Sequence, residues 1–320
     1  KKLLLLIIEE PNNSDIVMQT LFGARITSNI GIGYVCKHTT VKKPITRGQL
    51  AGIRNKSYFE VSQRLYTGDL SLAYLVGLIE GDGWFSISKK GEYLLYEFGI
   101  ELGIKDVQLI YKIKELLGIG VVSFRKTKTR PETVFFKIRK KSHLIDIILP
   151  IFDKYPFISN KQYDYLRFRS ALLSDIKLYK DLPPYVRPKT PLNSIEPILN
   201  IPYLSAWLIG FMEAEACFSV YKPTIDPSFV ASFEISQTDG YILILAISKY
   251  LSLTQSVRVD KTNNSKIKVS SVRSVENVIK FIQNAPVKLL GYKKLQYLLW
   301  LKQLRTIPRY AEKFNIPDKY

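Results

Sequence analysis

Cysteine is nearly missing from this chain. Cys36 and Cys217 are the only two in 320 residues, too few for a disulfide framework. Histidine is as scarce, with His38 and His143 alone. That excludes a zinc finger or a nuclease centre built on several histidines. Long hydrophobic runs are absent as well. Leu3 to Ile8 is a run of six, far short of the ~20 residues that span a bilayer, and no small-residue cleavage site follows it cleanly. Acidic residues are under-represented: 28 Asp and Glu stand against 47 Lys and Arg, a formal charge of +19. Such an excess implies an anionic partner, most simply nucleic acid. At this length, with 46% hydrophobic residues, the chain can bury a sizeable core in one large domain or two.

What is present is one nine-residue stretch, twice. Leu75-Val76-Gly77-Leu78-Ile79-Glu80-Gly81-Asp82-Gly83 returns as Leu208-Ile209-Gly210-Phe211-Met212-Glu213-Ala214-Glu215-Ala216. Each copy reads as an apolar helix, the first over about 70–80, ending in a carboxylate, Asp82 or Glu215. Ala73 and Gly77 lie four apart and share a helix face, as do Ala206 and Gly210. Small residues on a shared face let two helix backbones approach closely. Leu75, Leu78, Ile79, Leu208, Phe211 and Met212 point into the surrounding core. If the two helices run side by side and parallel, Asp82 and Glu215 emerge together at two helix C-termini. The dipole disfavours negative charge there by about 0.3–1 kcal/mol, and the carboxylates repel one another. Such a pair needs a cation, and oxygen-only ligands beside a phosphate suit Mg²⁺. The alternative for one copy is a buried helix with an exposed acid after it; repetition in the same context argues against that.

The repetition extends well beyond the nine residues. Residues 70–173 read as helix, two strands, helix, two strands, helices. The strands are predicted over about 84–90, 93–104, 121–126 and 133–139, with a turn at Gly91 and a basic hairpin over 126–131. Asp106 is expected to cap the helix carrying Val107, Ile110, Ile113 and Leu117, which Gly118 and Gly120 end. Residues 174–202 form a linker holding Pro183, Pro184, Pro188, Pro191, Pro197 and Pro202, since such density stops regular helices. Residues 203–320 repeat the order. The offset is 133 from Asp82 to Glu215 and 132 from Lys161 to Lys293. A constant offset over this distance means a duplicated unit, hence an α+β pseudo-dimer of tandem αββαββα repeats with two antiparallel sheets. Residues 1–69 match neither half and form an N-terminal extension of unassigned role. Gly31-Ile32-Gly33-Tyr34 in it reads as a glycine-rich turn, and an opening on Lys1 is what a processed product or a fragment would show.

One face of each predicted sheet is apolar. The other carries Ser86, Ser88, Lys90, Arg125, Lys137 and Arg139 in the first half. In the second half it carries Ser219, Tyr221, Arg258, Lys266, Lys268 and Ser270. Strand ribbons of this kind fit the DNA major groove, and their cations meet phosphates. For any one of these residues an ordinary solvent face is the alternative; the set as a whole, with the net charge behind it, favours double-stranded DNA.

The doubled nine-residue stretch resembles the LAGLIDADG motif of homing endonucleases, and two copies in one chain resemble the monomeric members of that family. The resemblance covers about residues 70–318. Stretches such as Ser159-Asn160-Lys161-Gln162-Tyr163-Asp164 and Lys293-Lys294-Leu295-Gln296-Tyr297-Leu298 are similar to the endonuclease–maturases of group I introns in fungal mitochondrial cytochrome b genes. The resemblance implies that Asp82 and Glu215 bind catalytic Mg²⁺ or Mn²⁺, with backbone carbonyls at Gly81 and Ala214. It implies that Lys161 and Lys293 flank the active centre, and that Gln237, with Ile104 as its repeat partner, positions solvent. It further implies hydrolysis of both DNA strands across the minor groove, a mitochondrial location and, as a second activity class, assistance to splicing of intron RNA. A DNA-binding regulator with inactive acids is a third class. One departure stands out. The motif ends in Gly83 in the first copy but in Ala216 in the second, and a left-handed backbone after the helix would strain alanine by roughly 1–2 kcal/mol and displace Glu215.

Overall fold

The computed structural model describes residues 71–319, apart from 128, 130, 175, 189–193 and 225–227. The N-terminal extension, and Lys128 and Arg130 of the basic hairpin, lie outside the described residues. The first repeat comprises helix α1 (Leu72–Asp82), strands β1 (Gly83–Lys90) and β2 (Tyr93–Gly103), helix α2 (Val107–Leu117), strands β3 (Val121–Arg125) and β4 (Thr133–Ile138), and helix α3 (Lys161–Leu173). Between β4 and α3 a helical segment runs through a π turn, Leu144–Ile148. The second repeat follows the same order: α4 (Leu204–Glu215), β5 (Ala216–Tyr221), β6 (Val230–Thr238), α5 (Tyr241–Tyr250), β7 (Arg258–Val259), β8 (Asn264–Val269), α6 (Val272–Asn284) and α7 (Tyr292–Leu304).

Helix α1 begins two residues later than its apolar pattern predicts, because Ser71 stays extended and its hydroxyl accepts the Tyr74 amide, satisfying an N–H that the first turn leaves over. Neither α1 nor α4 has a polar side. The first nine residues of α1 are buried, as are Trp207 through Glu213 in α4. A helix apolar all round belongs in the middle of a core. The two lie backbone to backbone. A Cβ built on Gly77 would stand 1.9 Å from the Trp207 carbonyl oxygen, and one on Gly210 1.9 Å from that of Tyr74.

Two four-stranded antiparallel sheets flank this pair, in the orders β1-β2-β4-β3 and β5-β6-β8-β7. Each turns one face to the helices. Phe85 stands at 5.2–5.6 Å between ring centroids from Phe98, Phe152, Phe157, Tyr165 and Phe168. Phe218 occupies the same place in the second half, 5.2–5.5 Å from Phe233, Tyr297 and Trp300. Burial of one such ring contributes about 1.5–3 kcal/mol. These rings seat α3 on the first sheet and α7 on the second, which fixes where the lysines at the helix starts can reach. Helix α2 stops as its sequence predicts, on left-handed Gly118 (φ 66°). Its expected cap is a different matter, because Asp106 makes no side-chain bond to its own helix.

Candidate active site

Asp82 is the last residue of α1 and Glu215 the last of α4. The helix ends meet: a Cβ on Gly81 would stand 2.3 Å from the Ala214 Cβ and 3.1 Å from Glu215 Oε1. Both carboxyls sit in a desolvated place. Burial lifts Asp82 to about 6, against the pull of Lys161 and Lys293. Burial, and then the neighbouring Asp82, lift Glu215 to about 7. Helix C-termini leave their last carbonyls unpaired, and here lysines take them. Lys161 Nζ donates to the carbonyls of Ile79 (2.7 Å), Gly83 (2.6 Å) and, more distantly, Gly81 (3.4 Å). Burial depresses this ammonium to about 8, although Glu80, Asp82, Glu215 and Asp164 favour its charge. Lys293 Nζ donates to the Ala216 carbonyl at 2.6 Å. The structure thus brings Asp82, Glu215, Gly81, Ala214, Lys161 and Lys293 together from four helices.

The donor set suits a small hard cation. Two carboxylates and two backbone carbonyls offer oxygen alone, and Mg²⁺ is bound through few carboxylates while keeping waters for itself. Among the described residues no group of three or more His, Cys, Asp or Glu forms a metal cage, so such an ion would need oxygens from substrate or water as well. Gln237 supplies a further hint, because its Oε1 is buried without a hydrogen-bond partner among the described residues. Asp82 also borders a cleft of about 210 Å³ that Glu101, Asp106, Tyr292 and Lys293 help line.

Sequence reasoning passed over Glu80 and Glu213, whose recurrence at the same motif position was the available signal. Glu80 is fully buried and accepts from the amides of Ile158 (3.0 Å) and Ser159 (2.5 Å) and from Trp207 Nε1 (2.8 Å). Glu213 accepts from the Leu290 amide (2.7 Å) and the Tyr74 hydroxyl (2.7 Å). Each glutamate therefore holds the turn that leads into its own repeat's lysine-bearing helix. Each is also bonded by the aromatic residue of the opposite motif helix. Burial raises both above the usual carboxylate range.

Two expectations are corrected. First, Gly83 is not left-handed: φ is −92° and ψ 169°, and Ala216 has nearly the same backbone, −78° and 149°. Both are extended conformations open to any residue, so alanine bears no backbone strain and Glu215 is not displaced by it. What constrains Gly83 is space, since a Cβ there would meet Ile79 Cγ2 at 2.6 Å. The residue at the Ile79 position of the second repeat is Met212, which has no branch at Cβ, and Ala216 packs with 2% exposure. Second, the repeat partner of Gln237 is Leu102, not Ile104. Gly83 pairs with Ile100 and Ala216 with Ile235, so two residues onward the strands carry Leu102 and Gln237. The β5–β6 connection is longer than the β1–β2 turn, which shifts the second repeat by two positions. Gln237 lies just beyond the start of β5, where α4 enters the sheet.

The strand registers put Ser86, Ser88, Lys90, Arg125 and Lys137 on the outer face of the first sheet, and the ion pair with Glu97 puts Arg139 there. They put Ser219, Tyr221, Arg258, Lys266 and Lys268, and by alternation Ser270, on that of the second. Three glutamates share these faces, as the alternation of β2 and β6 could have told. Glu97 is 2.6 Å from Arg139 Nε and 3.8 Å from Lys137 Nζ, and Glu101 is 3.5 Å from Arg125. Glu234 is 3.7 Å from Lys266 and 3.9 Å from Lys268. Trp84 also lies there, bonded to Glu97 at 3.2 Å.

Similar proteins agree with this geometry. The LAGLIDADG endonuclease family model matches residues 75–172 and 208–304, more than half of the chain. Probable intron-encoded endonuclease Cox1-I1b of Schizosaccharomyces pombe is 31% identical over 252 residues, covering 72% of this chain and 63% of that protein. Mitochondrial protein RF1 of Saccharomyces cerevisiae, itself uncharacterised, is 28% identical over 75% of this chain and 51% of its own length. The chain thus spans about half to two thirds of these relatives. Among solved structures, the LAGLIDADG homing endonuclease I-GzeII in complex with its DNA target superposes with a TM-score of 0.61 at 20% identity, covering 77% of this chain and 93% of that one. I-SmaMI, bound to an uncleaved DNA target in the presence of calcium ions, gives 0.60 at 22%, covering 76% and 96%. The doubled motif, the paired helices and the two sheets place the chain in the LAGLIDADG endonuclease family.

Proposed function

We propose that this protein is an intron-encoded homing endonuclease that cuts both strands of a long DNA site with the help of Mg²⁺ or Mn²⁺. The observation that supports this most is the meeting of Asp82 and Glu215 at the ends of two backbone-packed helices, each held by burial above the usual carboxylate range. Relatives named as intron-encoded, and one named mitochondrial, favour a mitochondrial intron as the source. The α1–α4 pair is complete within one chain, which favours a monomer.

In this reading the two outer sheet faces lie along the duplex. Arg125, Lys137, Arg139, Arg258, Lys266 and Lys268 meet phosphates and base edges. The polar Ser86, Ser88, Ser219 and Tyr221, with Lys90, read the groove between them. Asp82 and Glu215, with the Gly81 and Ala214 carbonyls, hold the divalent ions, whose chemistry is to lower the pKa of a bound water and neutralise charge on the leaving oxygen. Lys161 and Lys293 point their ammonium groups at the same helix ends and stabilise the charge that builds on the phosphate. Gln237 orients a water through its unpaired Oε1. Leu102, at the matching place, cannot, so the two centres differ chemically.

The test is cleavage of a plasmid carrying the intronless insertion site, with and without Mg²⁺, by the parent and by Asp82→Asn. Metal-dependent linearisation by the parent, lost in the variant while gel-shift binding persists, is the expected result. Cutting by the variant near the parent rate would remove Asp82 from the metal site.

A further inference from the structure

Asp106 is expected from sequence to cap its own helix, but its carboxylate crosses to the other repeat. Asp106 Oδ1 accepts the amide of Tyr292 at 2.6 Å, and Tyr292 is the first residue of α7, the helix that carries Lys293. An amide in a helix's first turn has no partner within the helix. Here the missing acceptor is supplied by the opposite half of the molecule. Space has been cleared for it: a Cβ on Gly291 would stand 2.4 Å from Asp106 Oδ1 and 2.9 Å from Glu213 Oε1. The two carboxylates thus share the entrance to α7, Glu213 taking the Leu290 amide and Asp106 the Tyr292 amide. A second contact reinforces the crossing. Lys105 Nζ lies 4.6 Å from the centroid of the Tyr292 ring.

Among the described residues, no carboxylate of the second half reaches an amide in the first turn of α3; what crosses there is the Tyr203 hydroxyl, which donates to the Pro156 carbonyl at 2.9 Å. The residue in front of α5, in the place Asp106 holds before α2, is Gly240, which has no side chain. A Cβ at Gly240 would meet Gln237 Cβ at 2.7 Å, so that position gives its room to Gln237. Around α3, where Lys161 sits, the amides of the corresponding turn find acceptors in their own repeat: Gln162 Oε1 accepts the Phe157 amide at 2.9 Å and Ser159 Oγ the Lys161 amide at 3.2 Å.

We propose that Asp106 is a positioning residue that aims Lys293 from across the repeat boundary, and that it makes cleavage of one DNA strand depend on a contact the other strand's centre lacks. Asp106 acts through the start of α7, and with it on the Lys293 bond to the Ala216 carbonyl at the end of α4. This proposal rests on the nuclease reading above, and its tests are chosen so that the two can fail separately.

Three variants isolate the contact. Asp106→Ala removes the acceptor, and Asp106→Asn keeps an acceptor oxygen without the charge. Tyr292→Pro removes the amide donor together with the ring that Lys105 meets, at a first helical position where proline is well tolerated and after an extended Gly291 (φ −92°, ψ −159°), and Tyr292→Ala, which loses the ring but keeps the amide, is its control. With strand-specific end labels on the target, Asp106→Ala and Tyr292→Pro are expected to slow cutting of one strand about tenfold relative to the other, so that nicked DNA accumulates. Asp106→Asn is expected to restore the parent ratio. In the free protein, amide hydrogen exchange at Lys293 and Lys294 should quicken about tenfold in Asp106→Ala, while the first turn of α3 keeps the parent rate. Equal slowing of both strands, or no change of exchange at the start of α7, would overturn the proposal. If the parent cuts no target at all, the nuclease reading falls, and the exchange measurement still decides whether Asp106 holds α7.

Discussion

Gly77 lies against the carbonyl oxygen of Trp207 so closely that a single added methyl group would stand 1.9 Å from it. The reciprocal contact, Gly210 on Tyr74, has the same distance. The spacing of α1 and α4 is therefore set by main-chain contact, and everything at their ends inherits its geometry. Gly77→Ala and Gly210→Ala should each destabilise the protein by about 3 kcal/mol or more, beyond the ordinary range for an overfilled core, since backbone cannot swing aside as a side chain does. Guanidinium unfolding followed by tryptophan fluorescence would show it; a loss below about 1 kcal/mol would mean the helices can part without penalty.

Metal-free stability should fall as pH rises from about 4 to about 7. Burial places Asp82 at about 6 and Glu215 at about 7 in the folded state, above the ordinary 3.8 and 4.5. Between those limits the folded protein binds more protons than the unfolded chain, so the free energy of unfolding declines with pH. The stabilisation is fully present below the unfolded values and is gone once pH passes the folded ones. Thermal melts across that window, compared with Asp82→Asn/Glu215→Gln, isolate these two groups from carboxylates such as Asp153 and Asp164 that pair with arginines. The double variant should be flatter with pH, and Mg²⁺ should raise the parent's Tm most above pH 7. Identical slopes in parent and variant would place the two acids in water.

Ala216→Gly should leave cleavage unchanged. The backbone at Ala216 is extended and the methyl is buried, so glycine gains nothing there and costs about 0.5–1 kcal/mol at a strand start. Nicked-to-linear progress curves of the two proteins should coincide. The reverse change, Gly83→Ala, drives a Cβ onto Ile79 and should slow cutting by moving Asp82, a displacement of about an ångström being worth on the order of a hundredfold.

Glu97→Gln should tighten DNA binding and make it more salt-dependent. Glu97 holds Arg139 and Lys137 in ion pairs on the outer face of the first sheet, and one neutralised carboxylate releases both for phosphates. The slope of log affinity against log salt should steepen by about one to two. An unchanged slope in a fluorescence anisotropy titration would mean that this face does not meet the backbone of the duplex.

Composition and repetition were enough to read the architecture. An apolar helical run ending in an acid, alternation in β1 and a nearly constant offset specify two copies of one unit. Small residues at Gly77 and Gly210 are a local signal for close helix packing. Asp82, Glu215, Lys161 and Lys293 could be chosen as one set because the duplication marks each of them twice. The resemblance supplied their roles. Relations across the pseudo-twofold boundary or between strands arose from packing alone. The Leu102 partner of Gln237 depends on a two-residue shift in strand register, which a gapless offset hides. The extended backbone at Ala216 follows from the helix running directly into β5, and its methyl fits because Met212 replaces the branched Ile79. The crossed bonds of Glu80 to Trp207 and of Glu213 to Tyr74, and the reach of Asp106 to Tyr292, join residues more than a hundred positions apart. Local propensity carries no information about them, because a carboxylate chooses its hydrogen-bond donor only after packing has excluded water from the alternatives.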